Sequence, residues 1–251
     1  SDRKQAEFVL EKKTLELAQT NILVQQRNQD LDQFAHIVSH DLKAPLRAIA
    51  NLSTWIEEDL EGQINPETQT HLDLMRSRVV RMEAMINGLL EYARVGNTPA
   101  SLSTFSFEDL LTEIIDSLSI PPSFEVDLPT NLPTITTNRM LLSQVFANLL
   151  GNACKHHDRP DGRIQITAQP QGELWTFTVI DDGPGIAPEN QERVFGVFQT
   201  LGARDNQENT GIGLSIVKKI VENQGGNIVV ESQLGRGTTF RFSWMKGMSN
   251  K

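Results

Sequence analysis

His40 and Asp41 are neighbours in a helical stretch, and together they could do chemistry. An exposed imidazole has a reference pKa of about 6.5, so its neutral form is a competent nucleophile near pH 7. A carboxylate that accepts the Nδ1 proton would leave Nε2 with a lone pair free for attack. Adjacent helical positions do not face each other squarely, so the spacing alone leaves this pairing open. Pro45 lacks an N–H and crowds the carbonyl four residues back, that of Asp41, so it should loosen or kink the helix beside His40. By itself an exposed histidine is ordinarily just solvated. His36 and His71 are weaker candidates, one a turn earlier and the other near a turn between helices.

A second set of groups lies in the other half of the chain. Asn148, Asn152 and Lys155 are spaced by four and three, which puts two carboxamides and an ammonium on one helical face. Such a face suits magnesium and phosphate, with the ion's octahedron completed by phosphates and water. Its bland alternative is the polar side of a half-buried helix. Asp181 ends an alternating strand and opens Asp181-Asp182-Gly183-Pro184-Gly185-Ile186. Its carboxylate could accept a hydrogen bond from an adenine amino group, and the glycines would let the backbone approach the base. An Asp-x-Gly-x-Gly run is also common in turns. Gly211-Ile212-Gly213-Leu214 opens a helix, where free backbone N–H groups bind phosphate. A dinucleotide-binding loop is the rival, but that fingerprint follows the first strand of a βαβ unit, and here a long polar loop precedes it.

These groups need elements to position them. Leu10, Leu17, Val24, Leu31 and Val38 recur every seven residues, within one long helix expected over about residues 4–61. With these at d, the a positions are Thr14, Asn21, Asn28, Ala35 and Leu42. So long a seam argues for a parallel coiled coil, with polar a residues fixing register. His40 then falls at f, away from the seam. The seam continues through Leu42, Pro45, Ile49, Leu52 and Ile56, and Gly62-Gln63-Ile64-Asn65 breaks it. Pro66 suits the first position of a second helix with the stripe Leu72, Met75, Val79, Met82, Ile86, Leu89 and Ala93. One antiparallel hairpin leaves an apolar stripe exposed, and two would bury it as a four-helix bundle. Residues 96–101 read as a linker. Beyond it, helices near 107–118, 138–157 and 210–223 alternate with strands near 124–127, 134–136, 163–168, 174–180, 227–231 and 238–244. That mixture indicates an α/β sandwich. The expected layout is a coiled-coil helix at 1–30, a helical hairpin at 31–96, a linker at 97–103 and an α/β domain at 104–248.

Composition narrows the field. A net charge of -9 argues against nucleic acid as the main partner. One cysteine allows no intrachain disulfide and points to a reducing, cytoplasmic compartment. No apolar run approaches the roughly 18 residues of a membrane span. Helical periodicity runs from the first turns, so an upstream sensor domain is expected, and the whole protein could still be membrane-attached.

The stretch Ser39-His40-Asp41-Leu42-Lys43-Ala44-Pro45-Leu46 resembles the phosphoacceptor box of sensor histidine kinases. The segments 148–156, 181–186, 193–198, 211–217 and 235–240 resemble that family's nucleotide boxes in the family's order. No single box is decisive, but in this order behind an acceptor histidine they are specific. The resemblance covers nearly the whole chain, and the region around His40 is loosely similar to phytochrome-like and cyanobacterial kinases. It implies ATP and Mg2+ as cofactors, His40 as phosphoacceptor and Asp41 as its base. It places around the nucleotide Asn148, Asn152, Lys155, His156, Asp181, Gly183, Gly185, Ile186, Arg193, Phe198, Gly211, Gly213, Leu214 and Thr238. Within that set Asn152 is the metal ligand, Lys155 contacts phosphate and Asp181 reads adenine. Phe195 and Phe198 would anchor one end of a mobile lid over residues 199–210.

The implied partners are a second copy of the chain and a response-regulator receiver domain. Related gyrase-type ATPases carry a glutamate four residues before the metal asparagine. Asn148 stands there, which disfavours water activation and favours transfer to histidine. Serine-directed anti-sigma kinases lack the hairpin, and a pseudokinase scaffold would have lost groups that are all present. Ala44 stands where many relatives carry Thr or Asn, which implies weak phosphatase activity, and Ser215 replaces a third glycine. Asn21 and Asn28 are candidate switch layers of the coiled coil.

Overall fold

The structure is a computed structural model that describes residues 2–96, 101–129, 132–200 and 210–247. Along the first helix, the side chains of residues 2–7, 9, 21, 24, 25, 27–32, 34 and 36 lie outside the description. The Asn21 and Asn28 layers, His36, lid residues 201–209 and linker residues 97–100 therefore fall wholly or in their side chains outside the described residues. The chain divides into two compact units, Ser1–Val79 and Val80–Lys251, each described by itself.

Helix α1 runs Asp2–Asp59 with Pro45 inside it, so the helix continues through the residue expected to loosen it. Helix α2 runs Pro66–Arg94. Between them Gly62 takes a positive φ of 75°, and Asn65 caps α2 by accepting the Thr68 N–H at 2.8 Å. Pro66 takes the first helical position, where its missing N–H costs nothing. The two helices are tied through Glu57, which accepts the Gln69 amide at 2.6 Å and pairs with Arg76. These bonds hold the Glu57 carboxyl below its usual range.

The buried line on α1 is not the expected seam. Ser39, Leu46 and Ser53 are buried, one heptad apart and one position past d. The seam residues Val38, Leu42, Ile49, Leu52 and Ile56 remain exposed in the single chain. Leu72 and Val79 are the buried residues of α2.

The second unit is a two-layer α/β sandwich. Its five-stranded sheet has the order β2-β4-β5-β7-β6, with β2 Phe124–Asp127, β4 Gly162–Gln171, β5 Leu174–Asp181, β6 Ile228–Ser232 and β7 Thr238–Met245. Only β2 and β4 pair in parallel; the other pairings are antiparallel. Strands β1 Ser103–Ser106 and β3 Thr134–Thr137 form a separate antiparallel pair. Strand β1 is an element the sequence pattern does not announce, and its first residue, Ser103, falls within the stretch expected to be linker. Helices α3 Phe107–Ser117, α4 Arg139–Lys155 and α6 Gly213–Asn223 pack into one core with the sheet, and a short helix α5 spans Pro188–Gln191.

Period-two alternation explains the packed face. On β7, Thr238, Phe240, Phe242 and Trp244 are buried, while Arg241 and Met245 point outward. Phe107, Phe146, Phe177 and Phe242 form a ring cluster with centroids 5.1–5.5 Å apart. Those tilted contacts add to burial. The buried Trp244 indole donates to Thr137 Oγ1 at 2.7 Å, which satisfies its one polar atom. No described helix is long and apolar enough to cross a membrane.

Candidate active site

In the first unit, His40 and Asp41 stand free of the helix surface, their side chains 77% and 73% exposed. Asp41 Oδ1 lies 3.3 Å from His40 Nδ1, a long contact but within reach of a hydrogen bond. The pairing that spacing left open is therefore present. It occupies Nδ1 and leaves Nε2 as the outward nitrogen.

In the second unit, a cleft of about 430 Å³ opens between α4, the end of β5 and the start of α6. That lies in the range of roughly 300–1,000 Å³ typical of small-molecule sites. Helix α4 supplies one wall. Its N-cap Asn138 accepts the Leu141 N–H at 3.2 Å, and Leu142, Val145, Phe146, Leu149 and Leu150 bury its apolar side. That burial turns Asn148, Asn152 and Lys155 together onto the cleft, with His156 at the helix's C-cap beside them. Burial against the helix end and the neighbouring Lys155 charge hold the His156 imidazole below its ordinary value, although the residue's outer edge is exposed.

Asp181, the last residue of β5, lies on the opposite wall. Burial raises its carboxyl above the usual range, offset in part by backbone N–H donors from Gly183 and Thr238. The Gly183 N–H reaches Asp181 Oδ1 at 3.0 Å. Thr238 sits across from Asp181 in the β5–β7 register. The residue before it must be glycine: Gly237 has a φ of 86°, and a Cβ there would run into the Asp181 carbonyl oxygen. The loop after Asp181 is pinned to the β6–β7 turn. Ile186 N–H donates to Ser232 Oγ at 2.7 Å, and Gly235 N–H to the Pro184 carbonyl at 2.8 Å. The same burial, with Asp181 close by, pushes the Cys154 thiol up and away from thiolate chemistry.

The start of α6 closes the third side with Gly211, Gly213 and Leu214. The N-cap residue Ile212 makes no side-chain cap, and Gly213 and Leu214 at the helix start line the cleft, where backbone N–H groups can meet a ligand. A Cβ at Gly213 would stand 2.7 Å from Asn148 Oδ1, so a side chain there would push the Asn148 carboxamide aside.

Of the residues expected around a nucleotide, Asn148, Asn152, Lys155, His156, Asp181, Gly185, Ile186, Gly211, Gly213, Leu214 and Thr238 all line the cleft. Gly183 stands behind Asp181 and orients it. Arg193 lies outside the lining, 3.5 Å from the Gln199 side chain, which does line it. Phe198 does not line it either: its φ of 62° turns the ring outward, where it is 48% exposed. Phe195 does the packing, its ring 6.3 Å from that of Phe240 and 5.9 Å from Lys218 Nζ. The two ends of segment 199–210 are pinched together, since a Cβ at Gly211 would come within 2.6 Å of the Gln199 carbonyl. Gln199, Thr200 and Thr210 line it from the ends of the expected lid, and Ala153, Pro184, Val194 and Phe240 line it without having been among the expected nucleotide residues. Phe240 was legible in principle, since alternation along β7 puts it on the buried face.

The first unit thus presents an exposed histidine paired with a carboxylate on a helical hairpin, and the second holds a cleft of about 430 Å³ in an α/β sandwich. Residues 30–98 match the His Kinase A phosphoacceptor domain, and residues 137–247 match the histidine kinase-, DNA gyrase B- and HSP90-like ATPase domain. Cyanobacterial phytochrome B of Nostoc sp. (strain PCC 7120) is 37% identical over 91% of this chain, which spans 31% of that relative. The methanogenesis regulatory histidine kinase FilI of Methanothrix harundinacea is 31% identical over 88% of the chain and 25% of the relative. Among solved structures, full-length ShkA in complex with AMPPNP superposes with a TM-score of 0.62 at 25% identity, over 86% of this chain and 47% of that one. The chain belongs to the sensor histidine kinases. It spans 30–31% of the length of three cyanobacterial phytochrome-like relatives that it matches.

Proposed function

We propose that the chain is the catalytic core of an ATP-dependent protein-histidine kinase that phosphorylates its own His40 and passes the group to an aspartate of a response-regulator receiver. The observation that carries this is the convergence of Asn152, Asp181 and the Gly211–Gly213 helix start on one nucleotide-sized cleft. The AMPPNP bound by ShkA supports the same ligand class. Asp181 accepts the adenine amino group. The bare N–H groups of α6 and Lys155 receive the phosphates. Asn152 offers the neutral carboxamide oxygen that Mg2+ accepts while keeping its waters and phosphate oxygens, and bound there the ion would neutralise phosphate charge.

In the transfer, His40 Nε2 forms a bond to the γ-phosphorus as the bond to the bridging oxygen breaks, and ADP departs. The positive charge left on the ring is relieved by Asp41, which takes or shares the Nδ1 proton. The protein contributes positioning and charge stabilisation. The layout that fits this reading is a coiled-coil signalling helix at 1–30, a hairpin at 31–96, a linker at 97–103 and a catalytic domain at 104–248, with the exposed seam paired in a homodimer.

Incubation with labelled ATP and Mg2+ tests the reading. The parent should acquire acid-labile, alkali-stable label, and His40→Gln and Asn152→Ala should each lose it. Label that survives His40→Gln would place the acceptor elsewhere. Because Ala44 provides no hydroxyl or amide to orient water, dephosphorylation of a phosphorylated receiver should be slow, and Ala44→Thr should raise it about tenfold or more, within the usual range of positioning effects. Rapid receiver dephosphorylation by the parent would refute this.

A further inference from the structure

His156 and His157 are adjacent, and the cleft takes the first. The second, just past the end of α4, turns inward, its side chain only 1% exposed. Its Nε2 lies 3.0 Å from Asp182 Oδ1. An ionised carboxylate only accepts, so Nε2 carries a proton, while Nδ1 lies 3.2 Å from both the backbone N–H and the carbonyl oxygen of Arg159. The Phe124 ring meets the imidazole edge-on at 5.2 Å and fixes its plane.

Asp182 is held from several sides. Its Oδ1 also accepts the Arg163 N–H at 2.7 Å, its Oδ2 the Arg159 guanidinium at 2.6 Å, and its own N–H donates to the Arg163 carbonyl at 3.3 Å. This clamp sets the backbone between Asp181 and Gly183, and Gly183 is the residue whose N–H orients the Asp181 carboxylate. The imidazole also backs Gly183 directly. A Cβ at that position would lie 3.4 Å from His157 Cδ2 and 3.0 Å from Asp181 Oδ1.

The geometry points to His157 as a positioning residue that, through Asp182 and Gly183, holds Asp181 in the orientation that reads the adenine amino group. The inference rests on the nucleotide reading above and deepens it: base recognition depends on a buried imidazole that never touches the base. A role confined to folding would lower stability without changing which base is preferred.

The test compares the affinities of the full chain for ATP and for purine riboside triphosphate, which lacks the 6-amino group. The ratio of the two dissociation constants reads the Asp181 contact alone. The parent should prefer ATP by about tenfold or more, as a hydrogen bond to a charged group allows, and Asp181→Ala should abolish the preference. His157→Leu should reduce it nearly as far. His157→Gln, whose amide can donate to Asp182 as Nε2 does, should restore most of it. Arg159→Met, at a half-exposed position, should reduce it less. If His157→Leu does not fold, Arg159→Met decides: a reduced preference supports the inference and an unchanged one overturns it. A preference lost in Asp181→Ala but intact in folded His157→Leu and in Arg159→Met overturns this inference alone. No preference in the parent, or one that survives Asp181→Ala, overturns the assignment of Asp181 and this inference with it.

Discussion

Seven-residue spacing puts Leu10, Leu17 and Val38 on one line of α1, and all three are exposed. Two-residue spacing puts Phe240, Phe242 and Trp244 on one face of β7, and all three are buried. Both patterns are regular, yet only one is satisfied within the chain. The second unit has helices and a sheet to close over its apolar face, so its core is complete in one copy. The first has two helices, and two helices leave a stripe uncovered. In the proposed homodimer the second unit's stability is its own, while that of the first depends on association and hence on concentration.

The comparison is broken most directly at the seam. Leu42→Glu with Ile49→Glu should convert a dimer to monomer, because each seam side chain contributes about 1.5–3 kcal/mol on burial and a dimer buries four of them. Sedimentation should show the change while ATP affinity stays at the parent value. A dimer that persists would mean that association runs through another surface. Next in size is the opposite experiment. Phe177→Ala empties the centre of the ring cluster and should cost about 3–5 kcal/mol, seen as a lower urea midpoint for loss of ATP binding. The helical signal of the hairpin should be retained at that midpoint. If both units melt together, the independence argued here fails.

Much of this was legible in the residues themselves, because periodicity is local. The heptads gave α1 its length, Asn65-Pro66 its successor's start, and the glycine and asparagine boxes the cleft. What was missed is what depends on distant partners. Strand β1 exists because Ser103 pairs with Thr137, a contact no local pattern announces. The buried line Ser39, Leu46 and Ser53 contains two serines, so it does not read as core, although small side chains suit a close approach of helices. Phe198 reads as an anchor by residue type, but a positive φ points it outward and its backbone meets Gly211 instead. His157 sits beside a histidine that matches the family's pattern, and only the end of α4 at Lys155 shows which of the two turns inward.

The smallest expected effect separates two neighbours within the second unit. Asp181 and Asp182 are adjacent carboxylates shifted in opposite directions. Burial raises Asp181. Burial would raise Asp182 as well, but the Arg163 N–H, His157 and Arg159 outweigh it and bring the carboxyl from 3.8 to about 2. For Asp182 the folded value lies below the unfolded one, so its contribution to stability is present above pH 3.8 and is lost as pH falls through about 2. For Asp181 the folded value lies above the unfolded one, so acidification through it relieves a cost and does not weaken the fold. Ligand binding behaves otherwise, since only ionised Asp181 accepts the adenine amino group as a full charge. ATP affinity should therefore begin to fall on acidification at a pH above 3.8, before the loss of stability attributable to Asp182 sets in. Asp182→Asn should flatten the acid limb of the stability curve, read by urea midpoints from pH 5 to pH 2, a range set by the usual carboxylate values of about 3.9–4.3. An acid limb unchanged by that substitution would show that the clamp on Asp182 contributes nothing to folding.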